Sequence, residues 1–224
     1  MTKENSLNKI KSLCAMAMLT ALAVAADVFL RLPNIGGFLT YEPKDVILTI
    51  GGFIFGAVPG IIMSIAVCFI EMISVSSTGF IGLLMNSLSS VVFVGVASLI
   101  YQRKKTMSRA IIGLVAGSGS MIVIMLLWNY IMTPIFMGIP REEVLALFFP
   151  LLIPFNTIKA VLNSALVLLL YKGVVTALRK SHLVPSRASN DGLNKRANTA
   201  TVVVVSALVV ATLVFVLLIF ADVI

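Results

Sequence analysis

The stretch 153–171, IPFNTIKAVLNSALVLLLY, decides the fold. It is an apolar run close to the roughly 20 helical residues that a hydrocarbon core requires, yet Lys159 sits inside it. Asn156 lies three residues before that lysine and Asn163 four after it. Residues three and four apart are neighbours on a helix surface, so these three side chains share one face. An ionisable group at membrane depth costs roughly 2.5 to 3.5 kcal/mol on insertion scales and faces a bundle interior, a partner or a cavity. The segment therefore predicts a membrane helix that forms the wall of a site.

The rest of the chain fits that setting. Apolar residues make up 59% of it and charged residues 12%, against about a quarter charged in soluble domains, and the mean hydropathy is +1.09. This composition reads as an all-α integral membrane protein. Runs at about 12–32, 46–73, 79–101, 109–137, 150–172 and 200–221 each approach or exceed spanning length. The first follows Lys3, Lys9 and Lys11, as the apolar part of a signal peptide would. It is too long for one, however, and ends at Arg31-Leu32-Pro33 without a small-residue cleavage site, so it is read as a mature helix.

The formal net charge of +8 points to topology rather than to nucleic acid. One basic cluster holds Lys3, Lys9 and Lys11, a second Arg103, Lys104, Lys105 and Arg109, and a third Lys172, Arg179, Lys180, Arg187, Lys195 and Arg196. The positive-inside rule puts all three in the cytoplasm. An even number of crossings must then separate the first two clusters, so the 46–73 run has to turn back on itself. Its centre, GGFIFGAVPGI, predicts two short helices joined near Pro59-Gly60. The result is six spans with both ends inside, and 200–221 as a seventh that ends outside. The outward connections, about 33–44, 74–79 and 138–149, carry Glu42, Lys44, Thr78, Arg141, Glu142 and Glu143.

Polar residues within the runs gather near those outward ends: Glu71, Asn129, Asn156 and Lys159. Convergent polar groups in an apolar cavity are the general form of a small-molecule site. Blander readings stay open: Asn129 as a helix-to-helix hydrogen bond, Glu71 as a structural partner of Lys159, and Lys159 snorkelling along its stem. Catalytic patterns are missing. His182 is the sole histidine, and Cys14 and Cys68 lie far apart, which leaves no metal cluster and no histidine-based triad to assemble. Gly117-Ser118-Gly119-Ser120 lacks the lysine of a phosphate loop and reads as small residues for close helix packing. A membrane-embedded enzyme using Glu71 or Lys159 lacks a second catalytic group at a defined spacing, so the chain is read as no enzyme, with no cofactor.

Four stretches carry a family resemblance: TYEPKDVILTIGGFIFGAVPG at 40–60, FIEMISVSSTGFIGLLMN at 69–86, LLWNYIMTPIFMGIPREEV at 126–144 and LIPFNTIKAVLNSALVLLLYK at 152–172. They resemble the riboflavin-binding S components of energy-coupling factor (ECF) vitamin transporters over about residues 8–185. The resemblance implies a six-helix bundle in the cell membrane that captures a vitamin from outside. It also implies a transmembrane coupling subunit and two cytoplasmic ATPases as partners, which alone would use ATP. Carried over onto this sequence, the ligand residues are Leu39, Thr40 and Tyr41 in the first outward loop, with Asn129, Asn156, Lys159 and Asn163. Glu42 and Thr78 are further candidates for a ribityl chain. Riboflavin is the implied substrate, with another flat vitamin or flavin precursor as the alternative. Ala17, Ala21 and Ala25, four residues apart on the first helix, form a smooth strip. In the family such a strip docks the coupling subunit; on spacing alone it equally suits a neighbour within the chain. The departure comes at the end, where 186–199 reads as a polar cytoplasmic linker and 200–221 as an extra transmembrane helix.

Overall fold

The first helix, α1 (Lys3–Leu30), contains neither glycine nor proline and is rich in alanine and leucine, which lose little on entering a helix. It ends just before Leu32-Pro33, where the proline ring disfavours α conformation in the preceding residue. The computed structural model describes residues 3–31, 39–76, 78–181 and 183. The expected linker at 186–199, the 200–221 helix, His182 and residues 33–38 of the first outward connection lie outside the described residues.

The 46–73 run does turn back on itself, as α2 (Lys44–Phe55) and α3 (Ala57–Ser74). The break is at Gly56, however, not at Pro59-Gly60. Gly56 has φ 120° and ψ 166°, a conformation open to glycine and strained for other residues. Its N–H closes α2 by donating to Gly52 O at 2.9 Å. Pro59 then falls in the first turn of α3, where backbone N–H groups have no intrahelical acceptor, so the ring costs that helix nothing.

The remaining helices are α4 (Gly79–Gln102), α5 (Met107–Met137), α6 (Arg141–Ala146) and α7 (Ile153–Lys180). Among the described residues, five helices are long and apolar enough to cross a membrane, namely those of α1, α3, α4, α5 and α7. The sixth bundle helix, α2, has 12 residues, about 18 Å of rise. It is buried nearly all round, packing against α1, α3, α4 and α7. Beyond the Lys44 and Asp45 of its first turn it is apolar apart from Thr49, as suits a helix at such a centre. Leu48, Ile50 and Phe53 of α2 join Val67, Phe93, Leu114, Met121 and Val167 in the main core.

The glycine and serine stretch of α5 behaves as a packing surface. A Cβ at Gly117 would stand 2.8 Å from Phe93 O, which fixes how closely α5 approaches α4. Ser118 and Ser164 hydroxyls meet at 3.1 Å between α5 and α7. The 138–149 connection is partly helical: α6 is followed by a π-helical turn at Phe148–Leu152 that runs into α7. Val144, Leu152, Phe155 and Leu39 form a second small core beneath it.

Candidate functional site

A pocket opens at one end of the bundle, with about 700 Å³ of space between its walls when the open solvent at its mouth is counted. Arg31, Leu39 and Thr40 line it from the α1–α2 connection, Thr78 from the α3–α4 connection, Phe136 from the end of α5 and Phe155 from the start of α7. The three connections expected on one side therefore do meet at one end. Ile81, Met85, Met125, Phe136 and Phe155 supply apolar wall; Glu42, Asn86, Ser89, Thr133, Asn156 and Lys159 supply polar groups. At the other end of the bundle Phe53 stacks on Tyr101, centroids 4.3 Å apart. The Tyr101 and Tyr171 hydroxyls meet there at 2.7 Å.

Of the residues expected in the site, Leu39, Thr40, Glu42, Thr78, Asn156 and Lys159 line the pocket. Tyr41, Asn129 and Asn163 stand behind that lining and are buried. Asn129 donates to Met125 O at 2.8 Å and accepts from Thr133 at 3.0 Å, and both of those neighbours line the pocket. Burial holds the Tyr41 phenol above its usual range, and its hydroxyl donates to Asn163 Oδ1 at 2.9 Å. The Asn163 Nδ2 and the Trp128 Nε1, both buried, meet no hydrogen-bond partner among the described residues. Asn156 Nδ2 donates to Leu152 O at 2.8 Å, one helical turn back in the π-helical turn. The shared face of Asn156, Lys159 and Asn163 is inward, each being 5% exposed or less.

Beneath the pocket lies an ion network that the sequence did not disclose. Lys44, fully buried, contacts Glu71, lies 2.8 Å from Glu42 and stands 3.8 Å from Asp27. Arg31 reaches Glu42 and Glu71, each at 3.1 Å. Asn86 donates to Glu42 at 2.8 Å and to Glu71 at 2.7 Å. Lys159 reaches the network through Glu42 at 3.6 Å, so Glu71 pairs with Lys44 and Arg31 rather than with Lys159. Asp45, at the amino end of α2, accepts from Ser90. Burial alone would raise the Glu42 carboxyl, but Lys44 and Lys159 hold it down at about 2. The one local signal was TYEPKD itself, three charges in four residues of a charge-poor chain.

The alanine strip faces away from the core. Ala15, Leu19, Ala23 and Asp27 are the buried line of α1, while Ala17 and Ala21 are exposed and Ala25 is half-buried. Exposed Phe29, Ile62, Phe69, Val115 and Ile135 form an apolar exterior suited to lipid.

A pocket of convergent polar groups at one end of a helical membrane bundle defines a small-molecule-binding membrane protein. Residues 11–171 match the family model described as the ECF transporter substrate-specific component, and the chain belongs to that family. It is the substrate-binding component of a membrane transport system, not a member of an enzyme class. The riboflavin transporter RibU of Staphylococcus aureus (strain TCH60) is 25% identical over 177 residues, which cover 76% of this chain and 93% of that protein. A solved structure described as the S component of a bacterial ECF transporter aligns with TM-score 0.65 and 27% identity, over 76% of this chain and 99% of the other.

Proposed function

We propose that this chain captures riboflavin at the outer face of the cell membrane and passes it inward with a coupling subunit and two ATPases. The observation that carries the reading is the pocket itself, with apolar walls of Met85, Met125, Phe136 and Phe155 beside the polar Asn156 and Lys159. An isoalloxazine ring has a large apolar face and a uracil-like edge of alternating donors and acceptors. Methionine and phenylalanine suit the face, and an amide and an ammonium suit the edge. Thr40, Glu42, Thr78, Asn86 and Ser89 offer partners for ribityl hydroxyls, and Asn129, Asn163 and Tyr41 hold those walls in place through their own hydrogen bonds. The likeness to a riboflavin transporter supports the same ligand.

Orientation follows from charge. Arg103, Lys104, Lys105 and Arg109 join α4 to α5 at the end away from the pocket, which the positive-inside rule assigns to the cytoplasm. The pocket then opens outward, with the start of α1 inside. The strip of exposed Ala17 and Ala21 and half-buried Ala25 offers the coupling subunit a surface for close helix approach. Purifying the chain in detergent from cells supplied with riboflavin tests the reading. Bound flavin absorbance at one equivalent is the expected result, and colourless folded protein that stays colourless after incubation with riboflavin would overturn it.

A further inference from the structure

The ion network beneath the pocket carries more negative than positive charge. Asp27 on α1, Glu42 ahead of α2, Asp45 on α2 and Glu71 on α3 are each 3% exposed or less. Three cations meet them: Arg31 at the end of α1, Lys44 on α2 and Lys159 on α7. The amino end of α2 adds roughly half a positive charge, which leaves a deficit. Cys68 on α3 lies near Lys44, and Tyr41 near Asp45; both are neutral at ordinary pH. Among the described residues, α4 contributes the uncharged Asn86 and Ser90. An uncompensated carboxylate in a buried setting is costly enough that it takes up a proton instead.

Geometry indicates where the proton sits. Asn86 Nδ2 donates to Oε1 of both Glu42 and Glu71, at 2.8 and 2.7 Å. Arg31 Nη2 lies 3.1 Å from the same two oxygens, and Lys44 Nζ contacts Oε2 of each. The two carboxyls stand side by side, sharing the Asn86 amide as a donor and Arg31 and Lys44 as cations, while Oε2 of Glu42 accepts no hydrogen bond among the described residues; in such an arrangement both do not ionise together and the pair titrates as a unit. Asp27 is the independent sign of surplus charge. It is 1% exposed, neither of its oxygens has a hydrogen-bond partner among the described residues, and Lys44, 3.8 Å away, is already shared by two glutamates. Among the described residues no group of three or more His, Cys, Asp or Glu side chains forms a metal-ion site.

We infer that the Glu42–Glu71 pair binds one proton from water at neutral pH, closing the charge deficit and tying the pocket-lining segment that bears Glu42 to α3. Only an O–H bond forms, on one carboxylate oxygen, and the proton reaches it through the pocket. The inference holds whatever ligand the pocket takes.

Infrared spectroscopy of the purified full chain tests it. At about pH 7, where free carboxyls are ionised, the wild type should show the carbonyl band of a protonated carboxyl, and raising the pH should remove it. Glu71→Gln removes the acid and Asp27→Asn removes the surplus charge, so the band should be absent from both at that pH. Because the folded chain then holds one proton more than the unfolded one, its unfolding constant should rise with pH by up to tenfold per unit. That slope should flatten in Glu71→Gln. A wild type without the band, a measurement that stands even if neither variant folds, would overturn the inference. So would a band that persists in Glu71→Gln. Loss of the band on adding sodium at fixed pH would assign the site to a metal cation and overturn the proton as its occupant.

Discussion

Replacing Lys44 with methionine removes the ammonium at the centre of the buried network while keeping most of its apolar stem. That ammonium serves Glu42, Glu71 and Asp27, none more than 3% exposed. Arg31 and Asn86 still reach the two glutamates, but Asp27 keeps no ion-pair partner among the described contacts. Breaking a buried ion pair by removing one member costs about 3–5 kcal/mol, chiefly because a charge stays behind unpaired. Whole domains are stable by only about 5–15 kcal/mol, so this is a large share. For a chain of this size the melting temperature should fall by roughly 6–20 °C. Thermal unfolding in mild detergent, followed by circular dichroism, reads the shift. Lys44→Met combined with Glu71→Gln should recover at least half of the loss, since one orphaned carboxylate is gone, and a double-mutant cycle gives the coupling. Acidification should narrow the gap too, because added protons replace the missing charge. A single variant that melts within about 2 °C of wild type, or a double variant no better than the single, would show that Lys44 does not hold these carboxylates in place.

Lys159→Met should weaken riboflavin binding by about five- to 150-fold, the equivalent of about 1–3 kcal/mol for an unpaired ligand acceptor, in a fluorescence titration. It should lower the melting temperature by less than Lys44→Met does, because Glu42 keeps Lys44 and Arg31. Gly56→Ala should destabilise the chain by about 1–3 kcal/mol, read by thermal unfolding, because φ 120° at the α2–α3 break strains any side chain. Replacing Ala21 and Ala25 together with leucine should leave flavin binding intact, since neither lines the pocket. The same double variant should lower uptake in cells that also express the coupling and ATPase subunits, and unchanged uptake would remove the strip from the mechanism.

Among the described residues, the long helices and their end-to-end order were legible because composition and charge clusters constrain a membrane chain so tightly. The turn within 46–73 followed from counting crossings between Lys11 and Arg103, and the structure has it. Its position did not follow, since proline is the louder breaker in a sequence. A first-turn Pro59 is nevertheless harmless, and the backbone that forces the turn belongs to Gly56. The inward face of Asn156, Lys159 and Asn163 was legible from spacing alone. The ion network was not. Lys44 reads locally as a loop charge at a helix start, and its partners at 27, 42 and 71 share no periodicity with it; Asn86 and Lys159 join only when α3, α4 and α7 close around α2. Asp27 was hidden for the same reason, as the last buried position on an otherwise apolar line of α1.

We propose that this pocket takes riboflavin unaided. Titrating riboflavin with the purified chain, in detergent and without ATP or partner subunits, tests it most directly. Saturable quenching of flavin fluorescence at one ligand per chain, abolished or strongly weakened by Lys159→Met, is the expected result. Absence of saturable quenching at about micromolar protein, with the helical fold intact, would contradict it.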